Sequence, residues 1–519
     1  MHIFLKTVLT FRVKTVIIYS RVFFNPDDLK KRSDKKEFKK MKAKFYDKSW
    51  KKSMTVSLDY NNMMTDFVGE RNGITDREIS SYKATAKKAH EMFNAKRGNG
   101  MTGWADLPYN QDETVKDIIA TAKEIRKKFD YFVVLGIGGS ALGPIAVFQA
   151  LCHLHYNDLP KSSRKGPKFY VEDNIDPERM TALFDVIDVK RTMFNVITKS
   201  GSTSETMSQY LIVYDALKKA LGDDAKNHII ATTSETKGNL IKIAKEEGFK
   251  TFYIPESVGG RFSELCPVGL LPASVLGINI KEMLEGAKYM DSLCKRPSLE
   301  TNPALMQAVL LDISVRKGKN IHVMMPYADS LKYISDWYAQ LWAESLGKKV
   351  NNDGVAVYAG QTPVKSLGVT DQHSQVQLYT EGPFDKVVTF IGVGKYRKET
   401  PIPYGCEDIP DVAFLCGHTM NELISSEMFA TEYALTVAQR PNYRITLPEV
   451  NAFTIGELLY MFELQTAYAG EMLDVDAYNQ PGVEGGKNAT YAMLGRKGYE
   501  KKAEELANAP KKSDFYKIN

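Results

Sequence analysis

Along the chain, short apolar runs alternate with longer amphipathic stretches. The segments YFVVLG (131–136), KFYVED (168–173), MFNVIT (193–198), HIIATT (228–233) and FKTFYIP (249–255) are almost continuously apolar, which predicts strands covered on both faces. Helical periodicity fills the intervals, for example at 207–221 and 239–247. A polar, proline-bearing bridge around 294–303 leads to a second series: NIHVMMPY (320–327), VAVYAG (355–360) and KVVTFIGV (386–393), with helices expected at 304–317 and 330–346. Strands that alternate with helices point to an α/β protein built on two doubly wound parallel sheets. The two series are alike in architecture only, and no residue-level repeat relates them. Ahead of them, 66–109 reads as mostly helical. The stretch 112–128 reads as one helix with Val115, Ile118, Ile119, Ala122 and Ile125 on its apolar face. Helices are expected to dominate again from 421 to 469, and a polar helical tail follows.

These patterns divide the chain into an N-terminal helical segment (54–128), a first α/β domain (129–293), a second (304–487) and a helical tail (488–519). With 519 residues, two core-bearing domains are the default. Charge changes the picture at one end only. The formal net charge is +6, but residues 1–53 hold 16 Lys/Arg against 5 Asp/Glu. The remainder is mildly acidic, so the chain as a whole makes no case for a nucleic-acid partner. Its start, MHIFLKTVLTFRVKTVIIYSRVFF, is apolar but broken by Lys6, Arg12, Lys14 and Arg21, with no small-residue cleavage site. It is a poor signal peptide, and no apolar run reaches the length of a membrane span. The start reads either as a weak amphipathic membrane-surface segment or as sequence translated from upstream of a true start at Met54; residues 1–53, a basic extension, are expected to lie outside the fold. Five scattered cysteines without a C-x-x-C pair read as buried or free thiols of a reducing compartment. His153 and His155 are splayed by their spacing and lack a carboxylate at ligand distance, so no metal is expected.

Several stretches carry candidate chemistry. VITKSGSTSET (196–206) is a strand end, a run of hydroxyls around Gly201 and a helix start. It brings backbone N–H groups, hydroxyls, Lys199 and a helix dipole to one spot, which suits an oxyanion such as phosphate. Ser202 and Glu205 are expected to form a capping box at the helix start. GIGGSALGP (136–144) supplies a second glycine turn after a strand. As a dinucleotide fingerprint it is imperfect, with Ala141 in the third position and no ribose-binding acid at the expected distance. Both loops fall at the carboxyl ends of strands, where open α/β sheets bind ligands. ESVGGRFSELCP (256–267) projects Arg261 from a tight turn, a cation suited to negative charge developing on a substrate oxygen. In SDWYAQLWAESLGKK (335–349), Gln340 and Glu344 share a helix face. The apolar Trp337, Leu341 and Trp342 beside them suggest a desolvated carboxylate with a raised pKa, fit for a general base. DQHSQVQLY (371–379) offers His373 as a proton carrier, and QPGVEGGK (480–487) closes on Lys487.

GIGGSALGP, TKSGSTSET, ESVGGRFS, YAQLWAES, DQHSQ and QPGVEGGK, in this order, resemble motifs of the glucose-6-phosphate isomerase family in its shorter bacterial form. The likeness runs from Met54 to the C-terminus, and the pairing of VGGRFS with NQPGVEGGK is its most specific part. It implies two sugar-isomerase (SIS) α/β domains, a cytoplasmic homodimer with composite active sites and a sugar-phosphate substrate. It also implies an aldose–ketose isomerase of glycolysis and gluconeogenesis, with no cofactor, no nucleic acid and no membrane partner. By position, the base falls on Glu344, the ring-opening groups on His373 and Lys487, and the charge-stabilising cation on Arg261. Phosphate contacts fall on Lys199, Ser200, Gly201, Ser202, Thr203 and Thr206, with Gly139 and Ser140 from the first glycine turn. Gln340 and Gln480 match substrate-contacting amides. Residues 1–53 are not part of the family pattern.

Three other readings compete. A non-catalytic sugar-phosphate sensor would not need Glu344, His373 and Lys487 together. An isomerase of mannose or amino-sugar phosphates would differ in a few hydroxyl contacts, and glutamine-dependent amino-sugar synthesis would add a nucleophilic cysteine upstream of Cys152, where none occurs. A nucleotide-dependent oxidoreductase is disfavoured by the imperfect fingerprint.

Overall fold

The structure, a computed structural model, describes residues 43–518. The first apolar series builds a parallel sheet in the order β3 (Lys168–Glu172), β2 (Tyr131–Leu135), β4 (Thr192–Ile197), β5 (Ile229–Thr233) and β6 (Lys250–Tyr253). Val133 stands opposite Tyr170 on one side and Phe194 on the other. Every residue of β4 and β5 is buried, as continuous apolar runs require of interior strands. The helices Leu142–Leu151, Ser204–Leu221 and Asn239–Glu247 follow β2, β4 and β5.

A second sheet runs β1 (Ser57–Asp59), β12 (Asn442–Glu449), β11 (Lys386–Lys395), β7 (Ile321–Pro326) and β10 (Thr362–Lys365), with β1 antiparallel at the edge and the other pairs parallel. Here the structure corrects the sequence reading three times. Residues 442–449 were expected within a helical region but form β12, where Tyr443, Ile445 and Leu447 alternate into the core. The segment 355–360 does not join the sheet. Its strand β9 (Ala356–Ala359) pairs only with β8 (Lys348–Val350) in a small hairpin. The edge position goes instead to β10, whose Pro363 is tolerated because an edge strand leaves one side unpaired. The third correction concerns the N-terminal boundary. Residues 44–53 belong to the fold: Asp47 caps the helix Lys48–Ser53, Trp50 meets the ring of Phe453 edge-on at 5.1 Å, and Lys51 pairs with Glu285 at 3.3 Å. Residues 1–42 lie outside the described residues.

Between the sheets runs the helix Ala452–Met472, buried along its length from Ala452 to Gly470. A helix apolar all round belongs in a core, and this one packs on the helices Ile280–Cys294, Pro303–Arg316 and Lys332–Leu346. The last of these also packs on Leu142–Leu151 of the first sheet's layer, and so carries residues of the second series to the first sheet. The expected boundary at 487 falls inside the helix Glu484–Met493.

Candidate active site

Strands β2, β4 and β6 end at one edge of the first sheet, and the loops that leave them lock together. Gly139 sits so close to the third loop that a Cβ there would come 2.1 Å from the carbonyl oxygen of Gly260. No residue with a side chain fits. Lys199 donates from Nζ to the carbonyls of Glu256 (2.7 Å) and Val258 (3.0 Å), tying the hydroxyl loop to the loop that holds Arg261. Burial pulls the Lys199 amine below its ordinary value, with Glu256 opposing.

The hydroxyl loop itself turns at Gly201, where φ is +62° and a Cβ would meet the backbone of Leu240. Gly201 N–H donates to Thr198 Oγ1 at 3.2 Å, and the Thr198 and Thr203 hydroxyls lie 3.1 Å apart. The loop after β5 braces it: Ser234 N–H donates to Lys199 O and Asn239 N–H to Ser200 O. The expected capping box is absent. Thr203, not Ser202, is the N-cap of Ser204–Leu221, and its side chain makes no capping bond. Ser202 turns its hydroxyl to Ser200 Oγ at 2.9 Å instead. The first-turn amides are thereby left without a side-chain cap, as an anion site requires. Thr206 is buried in that first turn, its hydroxyl without a partner.

Glu344 enters from the other sheet, near the end of the helix Lys332–Leu346. Trp337, Tyr338, Leu341 and Trp342 bury one face and leave Gln340 and Glu344 on another. The carboxylate is therefore not desolvated by the indoles as the sequence suggests; its side chain is 26% exposed. Both oxygens are held. Oε1 accepts from Arg261 Nη1 at 3.0 Å and Oε2 from Gln340 Nε2 at 2.9 Å. Arg261, only 4% exposed, uses its whole fork. It also donates to Ser345 Oγ (2.8 Å), Gln480 Oε1 (3.1 Å) and the carbonyls of Ala477 (2.6 Å) and Asn479 (3.1 Å). Burial draws the guanidinium down from its ordinary value while Glu344 and Asp476 hold it up. Such a planar, multidentate donor presents fixed positive charge in a dry place.

The C-terminal segment closes the arrangement. Tyr491 donates to the carbonyl of Ser202 at 3.3 Å, which joins the helix Glu484–Met493 to the hydroxyl loop. Lys487, one turn earlier on the same face, is half-exposed and pairs with Glu484 at 2.9 Å. Gly139, Ser140, the hydroxyl loop, Arg261, Gln340, Glu344 and Gln480 are thus linked through direct contacts or adjoining loops. His373 is not among them. It ends the short turn Thr370–His373, is exposed, and belongs to a segment whose Gln372 bonds Tyr327 and Glu427. Asp336, early in the Glu344 helix, pairs with Lys365 at the end of β10 that leads to His373. Glu344 lies two turns further on, about 12 Å along the axis. The sequence reading missed Ser345, Tyr491 and Lys348, whose amine bonds the carbonyls of Glu344 and Asn479. The available signal for Lys348 was a lysine just past a helix end.

Residues 67–508 match the model of the phosphoglucose isomerase family. The glucose-6-phosphate isomerase of Carboxydothermus hydrogenoformans is 54% identical over 462 residues, covering 89% of this chain and 99% of that one. That of Rubrobacter xylanophilus is 42% identical over 449 residues, covering 86% and 99%. Among solved structures, a hypothetical protein from Thermus thermophilus, TT0462, superposes with a TM-score of 0.76 at 35% identity, covering 85% of this chain and all of that one. A glucose-6-phosphate isomerase from Chlamydia trachomatis has the same fold, with a TM-score of 0.71 at 21% identity over 84% of this chain and 90% of its own. With a paired glutamate and arginine beside a hydroxyl loop, and with likeness across nearly all of its described length, the chain belongs to the phosphoglucose isomerase family.

Proposed function

We infer that the chain interconverts glucose 6-phosphate and fructose 6-phosphate by ring opening and proton transfer through an enediol. The observation that carries this reading is the Gln340–Glu344–Arg261–Gln480 array, set on the same sheet edge as an uncapped helix start. The hydroxyl loop, with Ser140 and Gly139, holds the terminal phosphate. Glu344 takes the proton from C2 and returns it to C1. Each of its oxygens accepts one hydrogen bond and keeps a lone pair for that proton, and its position is fixed by the two donors. Arg261 stabilises the charge that develops on the substrate oxygens. The reaction is redox-neutral overall and uses only proton transfers, so it calls for no cofactor.

Ring opening falls to Lys487 and His373, and His373 comes from a second copy of the chain. Two observations favour this composite arrangement. Among the described residues His373 bonds none of Glu344, Arg261 and Lys487, and the Asp336–Lys365 pair ties the strand leading to it to the far end of the Glu344 helix. The helix Met420–Val437 near its segment exposes Phe429, Tyr433 and Val437, one apolar stripe at a spacing of four, of the kind that marks an interface. A reducing cytoplasm suits the five free thiols. A coupled assay on fructose 6-phosphate tests the activity, with glucose 6-phosphate formed in the absence of any nicotinamide cofactor as the expected result. Mixing inactive Glu344→Gln and His373→Ala proteins tests the dimer: composite sites recover activity in the hybrid, and sites complete within one copy do not.

A further inference from the structure

The proton transfer described above leaves a buried cation beside Glu344 unused. Lys348 opens β8 just beyond the helix that carries Glu344, and it is 6% exposed, although its neighbour Lys349 lies in solvent. Its ammonium donates to the carbonyl of Glu344 at 2.7 Å and to the carbonyl of Asn479 at 3.0 Å. The first of these is a last-turn carbonyl, a group that a helix leaves without an intrahelical partner, and a cation there also opposes the negative end of the helix dipole. The second also receives Arg261 Nη2 at 3.1 Å. Asn479 is thus gripped by two cations, while the side chain of Gln480, the next residue, is held by the same arginine.

We propose that Lys348 is a positioning residue, a clasp that locks the segment 477–480, and Gln480 with it, onto the end of the helix that carries Glu344. The proposal rests on the isomerase reading above. Its logic is geometric. The backbone of Glu344 and the substrate-facing segment are separated by 135 residues of chain, yet one ammonium spans them. Without it, Arg261 keeps the carbonyls of Ala477 and Asn479, but the direct tie between Asn479 and the last-turn carbonyl of Glu344 is lost. Small displacements of a base from its carbon are costly in rate, because the reacting atoms must meet within a narrow range. The charged groups facing the amine are Arg261, which disfavours its proton, and Glu344 and Asp476, which favour it. Burial is the largest influence, and the amine is drawn down to about 8. The clasp is therefore fully charged only below that pH.

Steady-state kinetics on fructose 6-phosphate with Lys348→Met and Lys348→Arg, beside the wild-type protein, test the clasp. For Lys348→Met the expected result is a kcat lower by about tenfold to a hundredfold, with KM changed less than about threefold. Lys348→Arg restores much of kcat, because a guanidinium can reach both carbonyls. The wild-type protein gives a further reading without any substitution: kcat declines as pH rises through about 8. In Lys348→Arg that decline moves up by more than about one pH unit, since arginine keeps its proton. A folded Lys348→Met with kcat within about twofold of wild type overturns the proposal, as does a loss confined to KM. If Lys348→Met does not fold, Lys348→Gln takes its place, and a kcat within about twofold of wild type overturns the proposal. Wild-type protein that isomerises neither sugar phosphate sinks the isomerase reading and the clasp together, whereas an active wild type beside an unaffected Lys348→Met sinks the clasp alone.

Discussion

Replacing Arg261 by lysine keeps a positive charge in place and removes the fork. The guanidinium serves five acceptors: the side chains of Glu344, Ser345 and Gln480 and the carbonyls of Ala477 and Asn479. An ammonium has three donors that cannot lie in one plane. Asn479 keeps Lys348, and Glu344 keeps Gln340, so the acceptors most exposed to loss are the carbonyl of Ala477 and the amide of Gln480. A buried group left without its partner costs about 1–3 kcal/mol, which sets the expected loss of stability at about 2–5 kcal/mol. Turnover falls for a separate reason. The positive charge is no longer held rigidly beside Glu344, and loss of one preorganised stabilising group lowers kcat by about a hundredfold to a thousandfold. Retained charge puts Arg261→Lys at the lower end of that range. Denaturant melts and a coupled assay on fructose 6-phosphate measure the two effects independently. A folded Arg261→Lys whose kcat lies within about threefold of wild type would refute the reasoning, because charge alone would then suffice.

Two further substitutions probe other parts of the account. Gly139→Ala drives a methyl to 2.1 Å from Gly260 O and 2.8 Å from Arg261 N, so kcat/KM is expected to fall more than about tenfold as the Arg261 loop is displaced. Gly259→Ala, in the same loop, meets nothing nearer than 3.6 Å and serves as the control, with kinetics near wild type. On the central helix, Glu457 is fully buried with no side-chain partner, and burial raises its pKa to about 9, with the Val56 backbone opposing. The folded protein then holds a proton that the unfolded chain releases above its ordinary value of 4.5. The contribution of this carboxyl to stability is greatest below that value and is lost as pH rises towards 9, by about 3 kcal/mol at neutral pH. Thermal melts of Glu457→Gln between pH 5 and pH 9 should decline less steeply than those of wild type; equal slopes would show that this carboxyl is not the source.

Much of this was legible in the sequence because the first sheet is built from continuous apolar strands bounded by glycine turns. The segment 193–198 can be little other than an interior strand, and Asn239–Glu247 begins and ends as its periodicity predicts. The second sheet was less legible. Its edge strand β10 contains Pro363, and β12 lies between two long helices, so flanking helical signals masked a clear alternation of Tyr443, Ile445 and Leu447. At the site, short motifs marked Arg261, Glu344 and the hydroxyl loop, because their chemistry needs glycine turns or helical spacing. Lys348 and Tyr491 act through contacts with carbonyls far away in the chain, and no local pattern encodes such a contact. The expected capping box failed for a local reason: two serine hydroxyls satisfied each other across Gly201.

The central claim is that the Glu344 carboxylate carries the proton between C2 and C1. Wild-type and Glu344→Gln protein, each incubated with fructose 6-phosphate in heavy water and followed by NMR, test it most directly. The account predicts that wild type forms glucose 6-phosphate and places deuterium on C2. It predicts that Glu344→Gln still binds the sugar phosphate but turns over slower by about a thousandfold or more, with no deuterium on carbon in the same time. A folded Glu344→Gln that labels the carbon at a rate within about tenfold of wild type would contradict it.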